Sequence, residues 1–274
     1  MTAKPKGSLI IIGGHEDKEG DCTILTDVAR RVGKDGRLVL VTVATQEPKA
    51  VAAEYRAIFQ QLGVKHLDVL DIRTREEATD PANVKLVEGA AVIFFTGGDQ
   101  LRITSQIGDS AVFQCMQELY RRGSTIVGTS AGAAAMPETM LIAGPGDASH
   151  RMSAVAMAPG LAFTPGVVID SHFAERGRMG RLLGAVAQNP RNIGLGIDED
   201  TAIIVADRTF EVRGSGAVYV VDGMDISYSS LSEAEPEGVV TIQDVKLHVL
   251  GAGERFDLQT RRPLRVHQEQ EVSA

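Results

Sequence analysis

The chain has little cysteine, no surplus of positive charge and no long apolar run, and each shortage removes a class of protein. Cys22 and Cys115 are the only two cysteines in 274 residues. Both fall in helical patterns without metal-ligand spacing, and two cannot build a disulfide framework, so the sequence reads as one made for a reducing cytoplasm. Lys and Arg number 28 against 36 Asp and Glu, a formal net charge of -8. That balance argues against a nucleic-acid partner held on a basic surface, while leaving room for a local basic pocket. Leu9-Ile10-Ile11-Ile12 is strand-sized, and no basic head with a long apolar stretch opens the chain. No signal peptide, membrane helix or membrane partner is expected. Internal repeats and low-complexity linkers are missing too, and neither glycine loop discussed below matches a full dinucleotide or P-loop fingerprint.

What is present is a core-forming composition, 43% hydrophobic, arranged in alternating strands and helices. Strand-like runs lie at Ser8 to Ile12, Arg37 to Val43, His66 to Leu70, Ala91 to Phe95 and Ser124 to Val127. Helical stretches between them centre on Thr23 to Val32, Pro48 to Leu62, Asn83 to Glu88 and Ser110 to Arg122. Helical crossovers imply a mostly parallel sheet with helices on both faces, a three-layer α/β fold. After Thr201 the pattern changes to Thr201 to Val205, Thr209 to Val212 and Ala217 to Val221 joined by turn residues, which read as C-terminal antiparallel hairpins at an edge. One domain over 1–274 is the economical reading, with a polar tail from about Arg261.

The chemistry concentrates at Gly128-Thr129-Ser130-Ala131-Gly132. A β-branched run precedes it and a small, helix-favouring run, Ala133 to Met136, follows. A serine between small residues at a strand-to-helix turn is a nucleophile elbow, which lifts the hydroxyl clear of the sheet. The pattern alone also describes an ordinary tight turn; the flanking strand and helix separate the two. The helix would aim free N–H groups at the reaction centre, with the Ala131 amide receiving an oxyanion.

A serine nucleophile needs a base and a group to orient it. Of His15, His66, His150, His172, His248 and His267, His172 fits best: it follows the buried run Val167-Val168-Ile169-Asp170, and strand ends are where open α/β sheets collect function. His150 lies in a Gly/Pro/Ser loop, His248 in a strand-like run, and His267 in the polar tail. For the acid, Ile193 to Ile197 is another short buried strand, ending in Asp198, Glu199 and Asp200. Glu199 is the choice, with Asp198 and Asp170 as rivals. The order Ser, His, acid departs from the α/β-hydrolase order Ser, acid, His.

Two glycine loops end other strands: Gly13 to Lys18, and Thr96-Gly97-Gly98-Asp99-Gln100. Either is a plain turn or a backbone approach to ligand, and Gly97 or Gly98 would supply a second oxyanion donor. Arg176, Arg178 and Arg181 follow His172. Such charges commonly mark a solvated helix face; beside a base, at least one is expected to face the cleft, where guanidinium binds carboxylate bidentately.

Four segments in this order, Gly13 to Lys18, Thr96 to Gln100, Gly128 to Ala133 and Asp170 to Arg181, resemble the cyanophycinase family over nearly the full length. These are serine exopeptidases related to peptidase E, the aspartyl dipeptidase, on a class I glutamine amidotransferase-like sheet. The resemblance implies hydrolysis of cyanophycin, a poly-aspartate with arginine on each β-carboxyl, to β-Asp-Arg dipeptides, by a homodimer without cofactor or metal. On that substrate Ser130 attacks, His172 transfers the proton and Glu199 holds the imidazole. Gly98 and Ala131 stabilise the oxyanion, Gln100 and the three arginines bind backbone and carboxylate, and Asp170 meets the guanidinium. Two other readings stay open: a dipeptidase for N-terminal aspartate, and a non-catalytic binding protein in which Ser130 is a relic.

Overall fold

Alternation along the first strand sets the layers. Leu9 and Ile11 enter one buried cluster while Ile10 and Ile12 enter another, as the two-residue period of a strand covered on both faces requires. In the computed structural model, which describes residues 7–143, 155–233 and 239–264, five parallel strands form one side of the main sheet, out to its edge. They are β1 (Ser8–Ile12), β2 (Arg37–Val41), β3 (His66–Leu70), β4 (Val92–Phe95) and β5 (Thr125–Thr129), ordered β1-β5-β4-β2-β3. The Gly144 to Ser149 loop, His150, His267 and most of the polar tail lie outside the described residues.

Helices α1 (Thr23–Val32) and α2 (Pro48–Gln61) cover one face through Ile24, Leu25, Val28, Tyr55 and Phe59. On the other face lie α3 (Pro81–Val87), α4 (Gln100–Ile107), α5 (Ala111–Arg122) and α6 (Ala131–Ala134). Their limits follow local chemistry. Pro48 and Pro81 open α2 and α3, Asp99 accepts from the Leu101 amide at 2.9 Å, Ser110 accepts from the Phe113 amide at 3.2 Å, and Gly123 ends α5 at φ 116. Cys22 is not within α1; it precedes that helix in a left-handed conformation, φ 47.

Beyond a small ladder of β6 (Thr139–Ala143) and β7 (Ala156–Pro159), the chain builds a second sheet. Its strands β8 (Val167–Ser171) and β9 (Ile193–Ile197) are parallel to each other. The antiparallel β10 (Thr201–Ala206) and β11 (Thr209–Gly214) return to extend the main sheet past β1. Then β12 (Val218–Asp222) pairs with β9, and after the short β13 (Tyr228–Ser229) and β14 (Ile242–Gln243), β15 (Lys246–Leu250) pairs with β12. Finally β16 (Arg255–Asp257) and β17 (Arg262–Leu264) complete a nine-stranded main sheet. The expected antiparallel extension is present, but Ala217 to Val221 joins the second sheet instead of the hairpin. One face of that sheet, including Val167, Ile169, Leu195 and Val220, packs into the main core. The other lies under α7 (Met179–Gln188) through Val168, Leu182 and Val186. No helix among the described residues is long and apolar enough to cross a membrane.

Candidate active site

The loop after β1 joins the two sheets where their strands end. Gly13 O accepts the His172 amide at 2.8 Å, and Gly14 O accepts the Asp200 amide at 2.9 Å. A Cβ on Gly13 would collide with the Asp198 carbonyl, and one on Gly14, at φ +105, with the His172 ring. The first glycine loop is therefore the seam that docks β8 and β9 against β1.

Across that seam stands Ser130, at φ 54 and ψ −111 directly before α6. This strained backbone, which costs about 1–3 kcal/mol, is held by the Ser130 amide donating to Ile12 O at 3.1 Å. The flanking glycines make the elbow possible. A Cβ on Gly128 would lie 2.5 Å from the Gly132 carbonyl carbon, and one on Gly132 would meet the Phe95 backbone. The Ala131 amide is the first of α6, whose opening N–H groups have no acceptor within the helix.

Ser130 Oγ lies 2.8 Å from His172 Nε2, and His172 Nδ1 lies 2.6 Å from Glu199 Oε1. The ring is buried and burial holds its pKa below the ordinary 6.5; the hydrogen bond to Glu199 opposes that shift and the Arg176 charge adds to it. For Glu199, partial burial pushes the carboxyl up, but its hydrogen bonds to His172 and His15 outweigh this and lower it. Of the rival acids, Asp198 is turned to the Ala174 and Ala217 amides at 2.9 and 3.1 Å. Ser, His and carboxylate thus form a hydrogen-bonded chain that ends on a strained hydroxyl lining both cavities, the arrangement a proton relay requires.

Two cavities that share Gly98, Ser130 and Arg176 in their walls flank the hydroxyl. One, of about 170 Å³, is lined by Gly98, Gln100, Ala131, Asp170 and the arginines 176, 178 and 181. The other, of about 370 Å³, is lined by Glu16, Lys18, Glu54, Tyr55, Gly97, Gly98 and His15 as well as Ser130 and His172. Arg176 borders both.

The family model for peptidase family S51 matches residues 9–213, a span that holds every group of the relay. The chain belongs to peptidase family S51. As an S51 member it is a serine-type peptidase, and curated relatives align along most of it. It is 37% identical over 262 residues to the cyanophycinase of Geminocystis herdmanii, covering 94% of the chain and 96% of that relative. It is 36% identical over 262 residues to the cyanophycinase of a Nostoc species, covering 94% and 88%. A solved peptidase from an acI-B1 Actinobacterium has the same fold, with TM-score 0.67 at 22% identity, covering 93% of this chain and 98% of that one.

The S51 site differs from the expectation at Asp170. That carboxylate is 1% exposed and bound on both oxygens. Arg178 donates to it at 3.0 Å, Arg181 Nε at 2.8 Å, and Arg181 Nη2 also donates to it. Two guanidiniums of the chain itself already meet its charge, so it fixes two arginines beside the smaller cavity instead of standing free for a third guanidinium. Gln100 lines that cavity while its Nε2 donates to Leu141 O at 2.8 Å. His248 lies on β15, away from the relay. Sequence reasoning did not single out His15 or Tyr55; the Gly13 to Lys18 loop was the signal for His15, whereas Tyr55, a buried position of α2, carried none.

Proposed function

We propose that the chain, acting as a single α/β serine hydrolase domain, is an exopeptidase that hydrolyses cyanophycin to β-Asp-Arg dipeptides. The observation that carries this reading is the relay of 2.8 and 2.6 Å from Ser130 through His172 to Glu199, in a chain 37% identical to a cyanophycinase. Ser130 Oγ attacks the α-peptide carbonyl of the terminal aspartyl unit as its proton passes to His172 Nε2. The developing oxyanion is received by the Ala131 and Gly98 amides. Collapse breaks the C–N bond, and the imidazolium returns the proton to the leaving amine. Water, deprotonated by the same imidazole, then hydrolyses the acyl-serine. Glu199 keeps Nδ1 protonated, so that Nε2 is the accepting atom in each half-reaction.

The smaller cavity supplies the carboxylate subsite. One buried carboxylate shared by Arg178 and Arg181 leaves a net charge of +1, and Arg176 adds a further guanidinium at the border. Gln100 contributes a polar contact to the substrate backbone. The reading invokes no cofactor, metal, nucleic acid or membrane, and it includes a cytoplasmic homodimer. Leu247 and Val249, 50% and 57% exposed on the edge strand β15, offer apolar surface for such an interface.

Incubating the protein and Ser130→Ala with insoluble cyanophycin, followed by mass spectrometry of the soluble products, tests the activity. Release of β-Asp-Arg by the native chain alone is expected. Cleavage of simple Asp-Xaa dipeptides without attack on the polymer would move the chain to the dipeptidase reading, and failure of Ser130 to take a serine-directed probe would support the non-catalytic one.

A further inference from the structure

The larger cavity contains a buried carboxylate that the relay does not use. Glu16 is 4% exposed. Tyr55 donates its hydroxyl to Oε1, and Thr129, the residue before Ser130, donates to Oε2 at 2.6 Å. Among the described residues no lysine, arginine or histidine pairs with it; Lys18, the nearest loop cation, pairs instead with Glu54 at 3.2 Å and lies 4.5 Å from the Tyr55 ring centroid. A buried charge with only hydroxyl partners is costly where an opposite charge is absent. Burial and the Glu16 charge push the Tyr55 phenol well above its ordinary value, so it stays a neutral donor.

The two cavities therefore differ in sign. The Asp170 side carries fixed arginines, whereas the Tyr55 side carries Glu16 and Glu54 against the single ammonium of Lys18, with Arg176 on the border between them. A ligand bound across Ser130 meets cationic groups on one side and an anionic wall on the other.

We propose that Glu16, backed by Tyr55 and Thr129 and bordered by Glu54, is a specificity subsite for the guanidinium of a substrate arginyl side chain. The inference rests on the cyanophycinase reading for the substrate and on this geometry for the site. A guanidinium entering here gains charge-assisted hydrogen bonds to a desolvated carboxylate. It also finds the face of Tyr55, over which a cation already sits. Lys18 is then a competitor that occupies this wall when no arginine is bound, and its partner Glu54 receives it at the rim.

The experiment compares kcat/KM for a synthetic β-Asp-Arg trimer with that for the same trimer bearing citrulline, whose urea has the guanidinium shape without its charge. Glu16→Gln is expected to cut the arginyl-to-citrullyl ratio at least tenfold. Lys18→Met is expected to raise it, a gain that misfolding does not imitate. An unchanged ratio in both variants overturns the subsite. If the native chain cleaves neither trimer, the substrate reading falls, and labelling of Ser130 by a fluorophosphonate decides the subsite alone. Protection by agmatine that is lost in Glu16→Gln sustains it, and equal labelling with and without agmatine in the native chain overturns it.

Discussion

His15 Nδ1 lies 2.9 Å from Glu199 Oε2, the oxygen opposite the one that meets His172. The two imidazoles share one carboxylate and stand edge to face, with ring centroids 5.1 Å apart and planes at 79°. Removing His15 withdraws a positive influence on His172 and frees half of Glu199. His15→Ala should therefore raise the His172 pKa and move the acidic limb of the kcat/KM profile upward, with a loss at neutral pH far below that of Ser130→Ala. A pH profile whose limb does not move would leave His15 without influence on the relay.

The pH dependence of the native chain follows from the same ring. Burial depresses His172 below 6.5, and attack requires the neutral imidazole. Activity should thus already be on its plateau at pH 7 and decline only as pH falls below the ordinary histidine value. The linkage to stability has matching sign. An unfolded chain takes up that proton at higher pH than the folded one, so stability is lost as pH falls through the unfolded value. Rate profiles and urea midpoints from pH 5 to 8 check both.

Glu199→Gln tests the acid separately from the ring. The amide keeps the size but presents a donor to Nδ1, which favours the wrong tautomer. A fall in kcat of about 10²–10⁴ with little change in KM is expected, by the logic of an orienting carboxylate. Asp198→Asn, which alters a carboxylate bound to backbone amides, should act on stability instead.

The relay was legible because each member ends a short buried strand, and that position can be read from local pattern. Its neighbours were less so. Arg178 and Arg181 reach Asp170 only because the chain turns back after His172, which sits at φ 48, and then enters α7. The glycines of Met179-Gly180-Arg181-Leu182-Leu183-Gly184 hide that helix from a propensity reading. The second sheet escaped for a different reason: buried strands look alike whichever sheet they join, and β12 pairs with β9 across the intervening β10 and β11 hairpin. Helix α4 was missed because its eight residues carry few apolar positions, although Asp99 is a good cap.

Asp170 ties Arg178 and Arg181 together beside the smaller cavity. Its replacement by Asn leaves Arg178 and Arg181, 13% and 11% exposed, without their shared anion. Breaking a buried pair in this way costs about 3–5 kcal/mol, which urea unfolding resolves. In the fraction that remains folded, KM for a carboxylate-bearing substrate should rise, because the guanidinium forks are no longer held. An unchanged midpoint would mean that the arginines find solvent or other acceptors at no cost.

Gly14 gives the sharpest geometric prediction. Its φ of +105 disfavours any L side chain, and a Cβ there would overlap the Cε1 and Nε2 atoms of His172. Nε2 is the atom that meets Ser130, so Gly14→Ala must displace the base, shift the seam between the sheets, or both. The ring is the softer of the two, since the seam is tied by the Gly13 and Gly14 carbonyls to His172 and Asp200. The variant should fold with a modestly lowered midpoint, yet lose at least 10²-fold in kcat through misplacement of the imidazole by about an ångström. Activity near that of the native chain would show that His172 adopts another rotamer without penalty, and the relay distances would then not control the rate.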